Sequence, residues 1–421
     1  MIVKVLPKSL KGSINIIASK SLSHRYLIGA ALSEGVSVVD QPMDSLDIEA
    51  TKNALRALGA TIKGNTVSGG YPTLKAPIID AKASGTTCRL LIPVALLQSS
   101  PVVFQGQDRL PKRSLEVYEA LFKDKQVDYQ RLTKDHLPVR LKGPLNPGYY
   151  TVRGDVSSQF ISGLLFALPL LKGDSTLIID GRLESKPYVD LTLDVLKQFK
   201  IHIETQSNGY FIKGSQVYQP LQTKVEGDYS QAAFFIVAGL INEEPLIINN
   251  LNESSIQGDA KIIEIVKSMN GKLEFLDNAL KVYPSKTQAT TIDLANIPDL
   301  GPILMILGAL SKGTTRFTHI RRLRDKESDR IHAMSSVLDA FGVQYKVLED
   351  TMEICGQESF EGNKTIDSFN DHRIIMAITI ASLKTKGSLT IKNAQHIQKS
   401  YPNFFEEFQR LGGDIEEEYH E

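Results

Sequence analysis

The apolar positions of this chain follow a grammar that repeats. A short polar cluster is followed by a helix of small apolar residues with hardly a polar face, then a turn, then an alternating strand. A second polar cluster then opens an amphipathic helix, and a strand pair closes the cycle. The first cycle shows it most clearly. Ser19-Lys20-Ser21 opens a helix over Leu22–Leu32, Glu34-Gly35 stops it, and Val36-Ser37-Val38-Val39 alternates as a strand. Asp44-Ser45-Leu46-Asp47 then opens a helix that runs to Leu58 and ends at Gly59.

The same grammar restarts at Ser84, Gly154, Gly227, Pro298 and Asn370, spaced 65, 70, 73, 71 and 72 residues apart. Units of this length exceed the roughly 20–50 residues of solenoid repeats. Each is long enough for a small βαβαββ layer with helices on a sheet. Six such units in two groups of three predict an α/β (α+β) protein of two similar domains. One spans residues 1–18 plus 228–421 and the other residues 19–227, with chain crossings near Ile17–Ser19 and Val225–Asp228.

The repeat also locates the chemistry. Each unit carries its polar clusters at helix N-termini, where unpaired N–H groups and the positive dipole end favour anions. Ser, Asp and Gly at such places, as at Asp44 or Ser254, are equally ordinary N-caps. Capping alone does not account for tips that gather Lys, Arg, Gln and His together.

The totals narrow the choice of ligand. The chain has 421 residues, 48 basic and 48 acidic side chains and a formal net charge of zero, so no global basic field for nucleic acid is present. Any anion site must be local. Cys88 and Cys355 are too few for a disulfide framework and fit a reducing compartment. The longest apolar runs, Phe160–Leu171 and Leu300–Leu310, fall short of the roughly 18–20 residues of a membrane span, and the first ten residues lack a signal-like stretch. A cytoplasmic protein without membrane or nucleic-acid partners is expected. Phosphate-binding glycine motifs, H-E-x-x-H and G-x-S-x-G are all missing.

Lys20, Ser21 and Arg25 form the first candidate clamp for a phosphate or carboxylate. Bases in a first helical turn oppose the macrodipole, which points to a ligand rather than to stability. In the second unit, Gly85 of Ser84-Gly85-Thr86-Thr87-Cys88-Arg89 allows close backbone approach, and Arg109 and Arg113 belong to the paired tip. Ser157, Ser158 and Gln159 can donate to one phosphate or serve as a plain cap. Ser185-Lys186-Pro187-Tyr188 is the matching second tip, with Pro187 expected at the first helical position. The fifth unit is the richest: Asp299 opens an apolar helix, and the run Arg321–Arg330, which includes Lys326 and Glu327, precedes the next helix start. A carboxylate crowded by cations suits proton transfer once burial and neighbours tune it. The sixth unit offers Arg373, before a helix expected over Ile374–Leu383, and Lys399 as anion clamps. His372 reads equally as structural or as part of the tip.

Taken in order, "SKSLSHR", "SGTTCR", "SSQF", "SKPYVD", "IPDLGP", "RDKESDR", "NDHR" and "KSYPNF" resemble the 5-enolpyruvylshikimate-3-phosphate synthase family across essentially the whole chain. The resemblance implies an inside-out α/β barrel type of fold, with two domains that close on substrate in an interdomain cleft. It implies transfer of the enolpyruvyl group of phosphoenolpyruvate to the 5-hydroxyl of shikimate 3-phosphate, by a monomer with no metal or organic cofactor. Position by position, Lys20, Ser21, Arg25, Ser157, Ser158, Gln159, Ser185, Tyr188, Asp299 and Lys326 are expected around shikimate 3-phosphate. Lys20, Gly85, Arg113, Gln159, Arg330, Arg373 and Lys399 are expected around phosphoenolpyruvate, with Asp299, Glu327 and Lys20 in proton transfer. Several positions depart from the family pattern: Ala83-Ser84 where it often has Asn-Ala, Leu90 where it has Pro, Ser114 after Arg113, and Arg322 in place of an Asn. Retention of Gly85 implies sensitivity to glyphosate, an inhibitor of the phosphoenolpyruvate site. The related transferase acting on UDP-N-acetylglucosamine typically starts its first helix with Lys-Asn and carries a reactive loop Cys. Here the pair is Lys20-Ser21, and Cys88 lies in an apolar helix. A catalytically inactive anion-binding homologue would not need both Asp299 and Glu327.

Overall fold

The structure, a computed structural model, describes residues 1–277 and 279–418. The chain divides into two compact units, Met1–Ile17 with Glu226–Glu421, and Ala18–Val225. Their described residues form six four-stranded sheets of a single design. In each, a first strand runs parallel to a second, and the second borders an antiparallel pair. Thr291–Asp293, for example, runs parallel to Thr314–Thr318, which pairs antiparallel with Thr351–Cys355 and through it with Tyr345–Val347.

Two helices accompany each sheet. In the 18–225 unit these are α1 (Lys20–Leu32), α2 (Leu46–Ala57), α3 (Gly85–Ala95), α4 (Glu116–Asp124), α5 (Ser158–Ala167) and α6 (Lys186–Gln198). In the other unit they are α7 (Tyr229–Ile241), α8 (Ile262–Ser268), α9 (Gly301–Ala309), α10 (Arg330–Ala340), α11 (His372–Ala381) and α12 (Phe404–Arg410).

The missing polar face has a direct cause. Every residue of α7, α9 and α11 is buried, and the three helices pack on one another at the centre of their unit. A helix surrounded by protein has no solvent side on which to place charge. In the other unit α3 lies tightly on α5. A Cβ at Gly163 would sit 2.5 Å from the carbonyl oxygen of Arg89 and from the Tyr118 hydroxyl, so glycine sets the spacing of that pair.

Three sheets are completed by strands distant in sequence, among them that of the fourth repeat, where Gly12–Asn15 runs parallel to Leu246–Asn249. The N-terminal strand Ile2–Leu6 lies between Leu389–Lys392 and Asp414–Glu418, antiparallel to both, and finishes the sixth repeat. Gln222–Lys224 runs parallel to Gly35–Asp40 and opens the sheet of the first. The contiguous grammar of the sequence conceals this exchange, because strand partners are chosen by hydrogen bonding across space.

Two local expectations are corrected. Helix α11 begins at His372 rather than Ile374 and ends at Ala381, because Asp371 caps it by accepting from the Arg373 amide. Helix α6 begins at Lys186, which places Pro187 at its second position, still within the first turn where no N–H is required.

Candidate active site

In the unit that holds α7 to α12, three helix starts converge. Asp299 sits in the 3-10 turn Pro298–Leu300 that leads into α9. Arg330 is the first residue of α10, which Asp329 caps, and Arg373 lies in the first turn of α11. Arg330 is the hub and is 1% exposed. Its Nε donates to Asp371 Oδ2 at 2.8 Å, Nη1 to Asp299 Oδ1 at 3.0 Å, and Nη2 to Glu327 Oε2 at 3.0 Å. Arg373 Nη2 donates to Asp299 Oδ2 at 3.1 Å and to Ser230 Oγ at 2.9 Å. Lys326 Nζ lies 3.6 Å from Asp299 Oδ1. Three carboxylates therefore face three cations, and the set is close to neutral without a ligand.

The electrostatics follow from burial and company. Burial pushes the Asp299 carboxyl up, but Arg373, Lys326 and Arg330 outweigh it and hold the group well below the usual carboxylate range. Burial pushes Lys326 down to about 8 against the pull of Asp299, and Arg322 and Arg330 push the same way. Burial opposes the charge on Arg330, yet Asp371, Glu327 and Asp299 make it a stronger cation than usual. Asp371 is fully buried, and Arg330 brings it down to about 2 against its desolvation. Lys399 ends the half-buried turn Ala394–Lys399 that packs on α11. His372 is buried, with Nδ1 3.7 Å from Asp371 Oδ1.

The 18–225 unit gathers a second set. Ser19 caps α1, and Lys20 Nζ lies 3.3 Å from Asp47 Oδ2 at the start of α2. Arg25 is nearly fully buried and bonds both to its own helix and to a neighbouring one. Its Nε donates to Thr192 Oγ1, Nη1 to the Ser21 carbonyl and Nη2 to the Tyr188 carbonyl, each at 2.8 Å. Arg25 thus ties α1 to α6, and burial lowers it to about 10. Ser185, which precedes α6, adopts φ +55° and does not cap that helix with its side chain.

Ser157 caps α5, accepting from the Gln159 amide at 3.3 Å, and Ser158 is the first residue of that helix. Both ends of the Gln159 side chain are held: Oε1 accepts from Arg89 Nη1 at 3.1 Å, and Nε2 donates to Thr86 Oγ1 at 2.9 Å. Arg89 also lies over the Phe160 ring, 5.0 Å from its centroid. A Cβ on Gly85 would stand 2.8 Å from Arg113 Nη1, so the absence of a side chain there is what admits the guanidinium.

Three partners carried no role in the sequence reading. Asp371 orients Arg330, Arg89 orients Gln159, and Ser230 holds Arg373. Asp371 was visible in the sixth tip as a cap-type residue between Asn370 and Arg373, and Arg89 as the base that ends the Ser84–Arg89 motif. Among the described residues no group of His, Cys, Asp and Glu could hold a metal ion, and no helix is long and apolar enough to cross a membrane.

Comparison with known proteins gives a consistent picture. The model of the EPSP synthase (3-phosphoshikimate 1-carboxyvinyltransferase) family matches residues 5–408. A 3-phosphoshikimate 1-carboxyvinyltransferase of Clostridium novyi is 42% identical, over 99% of this chain and 98% of that protein. One from Clostridium acetobutylicum is also 42% identical, with the same coverage. An EPSP synthase structure from Acinetobacter baumannii has a TM-score of 0.82 at 27% identity, covering 99% of this chain and all of that one. The enolpyruvyl transferase NikO of Streptomyces tendae shares the fold, with a TM-score of 0.80 at 18% identity, over 99% of this chain and 98% of its own.

Proposed function

We infer that this chain, which belongs to the EPSP synthase family, transfers the enolpyruvyl group of phosphoenolpyruvate to shikimate 3-phosphate and releases phosphate, as a 3-phosphoshikimate 1-carboxyvinyltransferase of the shikimate pathway. The UDP-N-acetylglucosamine alternative is not favoured by its relatives. The observation that carries the site assignment is the hydrogen-bonded set of Asp299, Glu327, Arg330 and Arg373. Two carboxylates for proton transfer stand there among cations suited to a carboxylate and a phosphate.

In the proposed reaction, the 5-hydroxyl oxygen attacks C2 of phosphoenolpyruvate while its proton passes to Asp299, with Lys20 assisting. Glu327 delivers a proton to the methylene carbon, giving a tetrahedral intermediate. Return of a methyl proton to Glu327 then restores the double bond as phosphate leaves with the C–O bonding pair. Asp299 is ionised but weakly basic while three cations face it. An incoming dianion that draws on Arg373, Arg330 and Lys326 would relieve that suppression and raise its basicity when substrate is in place. Lys20, Gly85, Arg113, Gln159, Arg330, Arg373 and Lys399 act on phosphoenolpyruvate in this reading. Ser21, Arg25, Ser157, Ser158, Ser185, Tyr188 and Lys326 act on shikimate 3-phosphate, joined by Lys20, Gln159 and Asp299. For Arg25 the contribution is the fixed geometry of the first turns of α1 and α6 as much as its remaining N–H groups. A cytoplasmic monomer is the accompanying proposal; its compartment is supported by two cysteines that are both unpaired.

The test is phosphate release by purified protein given phosphoenolpyruvate with shikimate 3-phosphate, run beside UDP-N-acetylglucosamine. Release only with shikimate 3-phosphate is expected; release only with the UDP-sugar, or with neither, refutes the assignment.

A further inference from the structure

Behind Lys20 lies a buried polar chain that the reaction scheme does not use. Helices α1 and α2 are joined by two rungs, one helical turn apart on both helices. The outer rung is Lys20 Nζ to Asp47 Oδ2 at 3.3 Å. The inner rung, four residues on in each helix, is His24 Nδ1 to Thr51 Oγ1 at 2.7 Å. The inner rung continues into α3. Thr51 Oγ1 lies 2.6 Å from Thr87 Oγ1, which donates to Ser84 Oγ at 2.8 Å. Ser84 is the N-cap of α3, and the next residue is Gly85. His24 is 1% exposed, and Thr51, Thr87 and Ser84 are fully buried.

The direction of the chain follows from counting donors. His24 Nε2 has no hydrogen-bond partner among the described residues. A buried N–H without an acceptor is less tolerated than a bare lone pair, so the tautomer assigned is Nδ1–H. Donation then runs from His24 to Thr51, to Thr87, to Ser84: each threonine hydroxyl accepts one bond and donates the next, and Ser84 Oγ accepts from both the hydroxyl and the amide of Thr87. A proton on Nε2 would place an unpaired buried charge between Lys20 and Arg25, and burial together with those two cations keeps the ring neutral.

We propose that the His24–Thr51–Thr87–Ser84 chain is a positioning device that fixes the starts of α1, α2 and α3 relative to one another, and so sets Lys20 and Gly85 for phosphoenolpyruvate. With the Nδ1–H tautomer the N–H of His24 and the hydroxyls of Thr51 and Thr87 are all paired, and a buried network of this kind specifies geometry more sharply than apolar packing of the same volume. Small displacements of a clamp are expensive in binding and rate. The chain ends at Ser84 beside Gly85, which belongs to phosphoenolpyruvate alone, and it touches none of Ser157, Ser158, Ser185 or Tyr188; Lys20, Ser21 and Arg25 of α1 also serve shikimate 3-phosphate, so its effect is larger for phosphoenolpyruvate rather than confined to it.

The inference rests on the assignment of Lys20 to phosphoenolpyruvate, and the experiment separates the two. Steady-state kinetics with each substrate varied would compare wild type, Thr51→Val, Thr51→Ser, Thr87→Val and Lys20→Ala. Thr51→Val keeps shape and removes the hydroxyl. It is expected to raise KM for phosphoenolpyruvate about tenfold, with a clearly smaller rise in KM for shikimate 3-phosphate and kcat within about threefold. Thr51→Ser restores the hydroxyl and is expected to return KM to the wild-type value. Thr87→Val, which leaves the His24–Thr51 rung in place and removes the bonds of the Thr87 hydroxyl to Thr51 and Ser84, is expected to show the same preference and carries the test where Thr51→Val does not fold. Unchanged KM values in folded Thr51→Val and Thr87→Val, or a loss confined to kcat and active fraction, would overturn the proposal. An unchanged KM for phosphoenolpyruvate in Lys20→Ala would instead overturn the assignment of Lys20.

Discussion

Replacing Asp371 by Asn tests whether the candidate site is held together by its buried ions. Asp371 is fully buried and receives Nε of Arg330 at 2.8 Å, Nη2 of Arg330 at 3.3 Å and the Ser328 hydroxyl at 3.0 Å. It also accepts from the Arg373 amide at 2.9 Å, as the cap of α11. Asn keeps a capping oxygen, so the helix start survives. It removes the charge and turns an NH2 group toward a guanidinium that is itself 1% exposed. Breaking a buried pair from one side typically costs about 3–5 kcal/mol; with one acceptor retained, a loss of about 2–4 kcal/mol is expected for Asp371→Asn. The pH dependence gives a second handle. The folded group titrates at about 2 against an ordinary 3.8, so its stabilisation is fully present above pH 3.8 and disappears as pH falls through about 2. That depression corresponds to about 2 kcal/mol. Urea unfolding followed by circular dichroism between pH 7 and pH 2 would measure both. The gap between wild type and variant should be widest at neutral pH and shrink in acid. A variant within about 0.5 kcal/mol of wild type at pH 7, or a gap that does not change with pH, would refute the account of Asp371 as the partner that holds Arg330.

Other outcomes follow from the same geometry. Asp299→Asn and Glu327→Gln should each lower kcat about 10²- to 10⁴-fold in steady-state assays; near-wild-type turnover in either removes that residue from proton transfer. Lys326 titrates at about 8 in the absence of ligand, and a bound anion favours its charged form. KM for shikimate 3-phosphate should therefore rise as pH increases above about 8, and Lys326→Arg should flatten that rise. A methyl group at Gly85 would press on Arg113 Nη1 from 2.8 Å. Gly85→Ala should raise KM for phosphoenolpyruvate about tenfold while sparing shikimate 3-phosphate, and wild-type turnover should fall in millimolar glyphosate.

Much of this protein was legible in residue order because its regularities are local. The apolar helices betray burial at their own positions: nothing polar lies along Tyr229–Ile241 beyond its first turn, since no solvent faces it. Capping is equally local, and Ser19, Ser84, Ser157, Asp329 and Asp371 mark helix starts in sequence and in space. The polar tips could therefore be found, and their Lys and Arg read as anion ligands, before any fold was known. Tertiary structure alone decided who faces whom. It placed Ile2–Leu6 beside Leu389–Lys392 and turned Arg25 toward Thr192. It gave Arg330 three carboxylates from three tips, and it aligned His24 with Thr51 and Thr87. Helical period and capping depend on residues a few positions apart. Strand pairing, ion pairing and buried hydroxyl chains depend on groups whose separation along the chain carries no information about their separation in space.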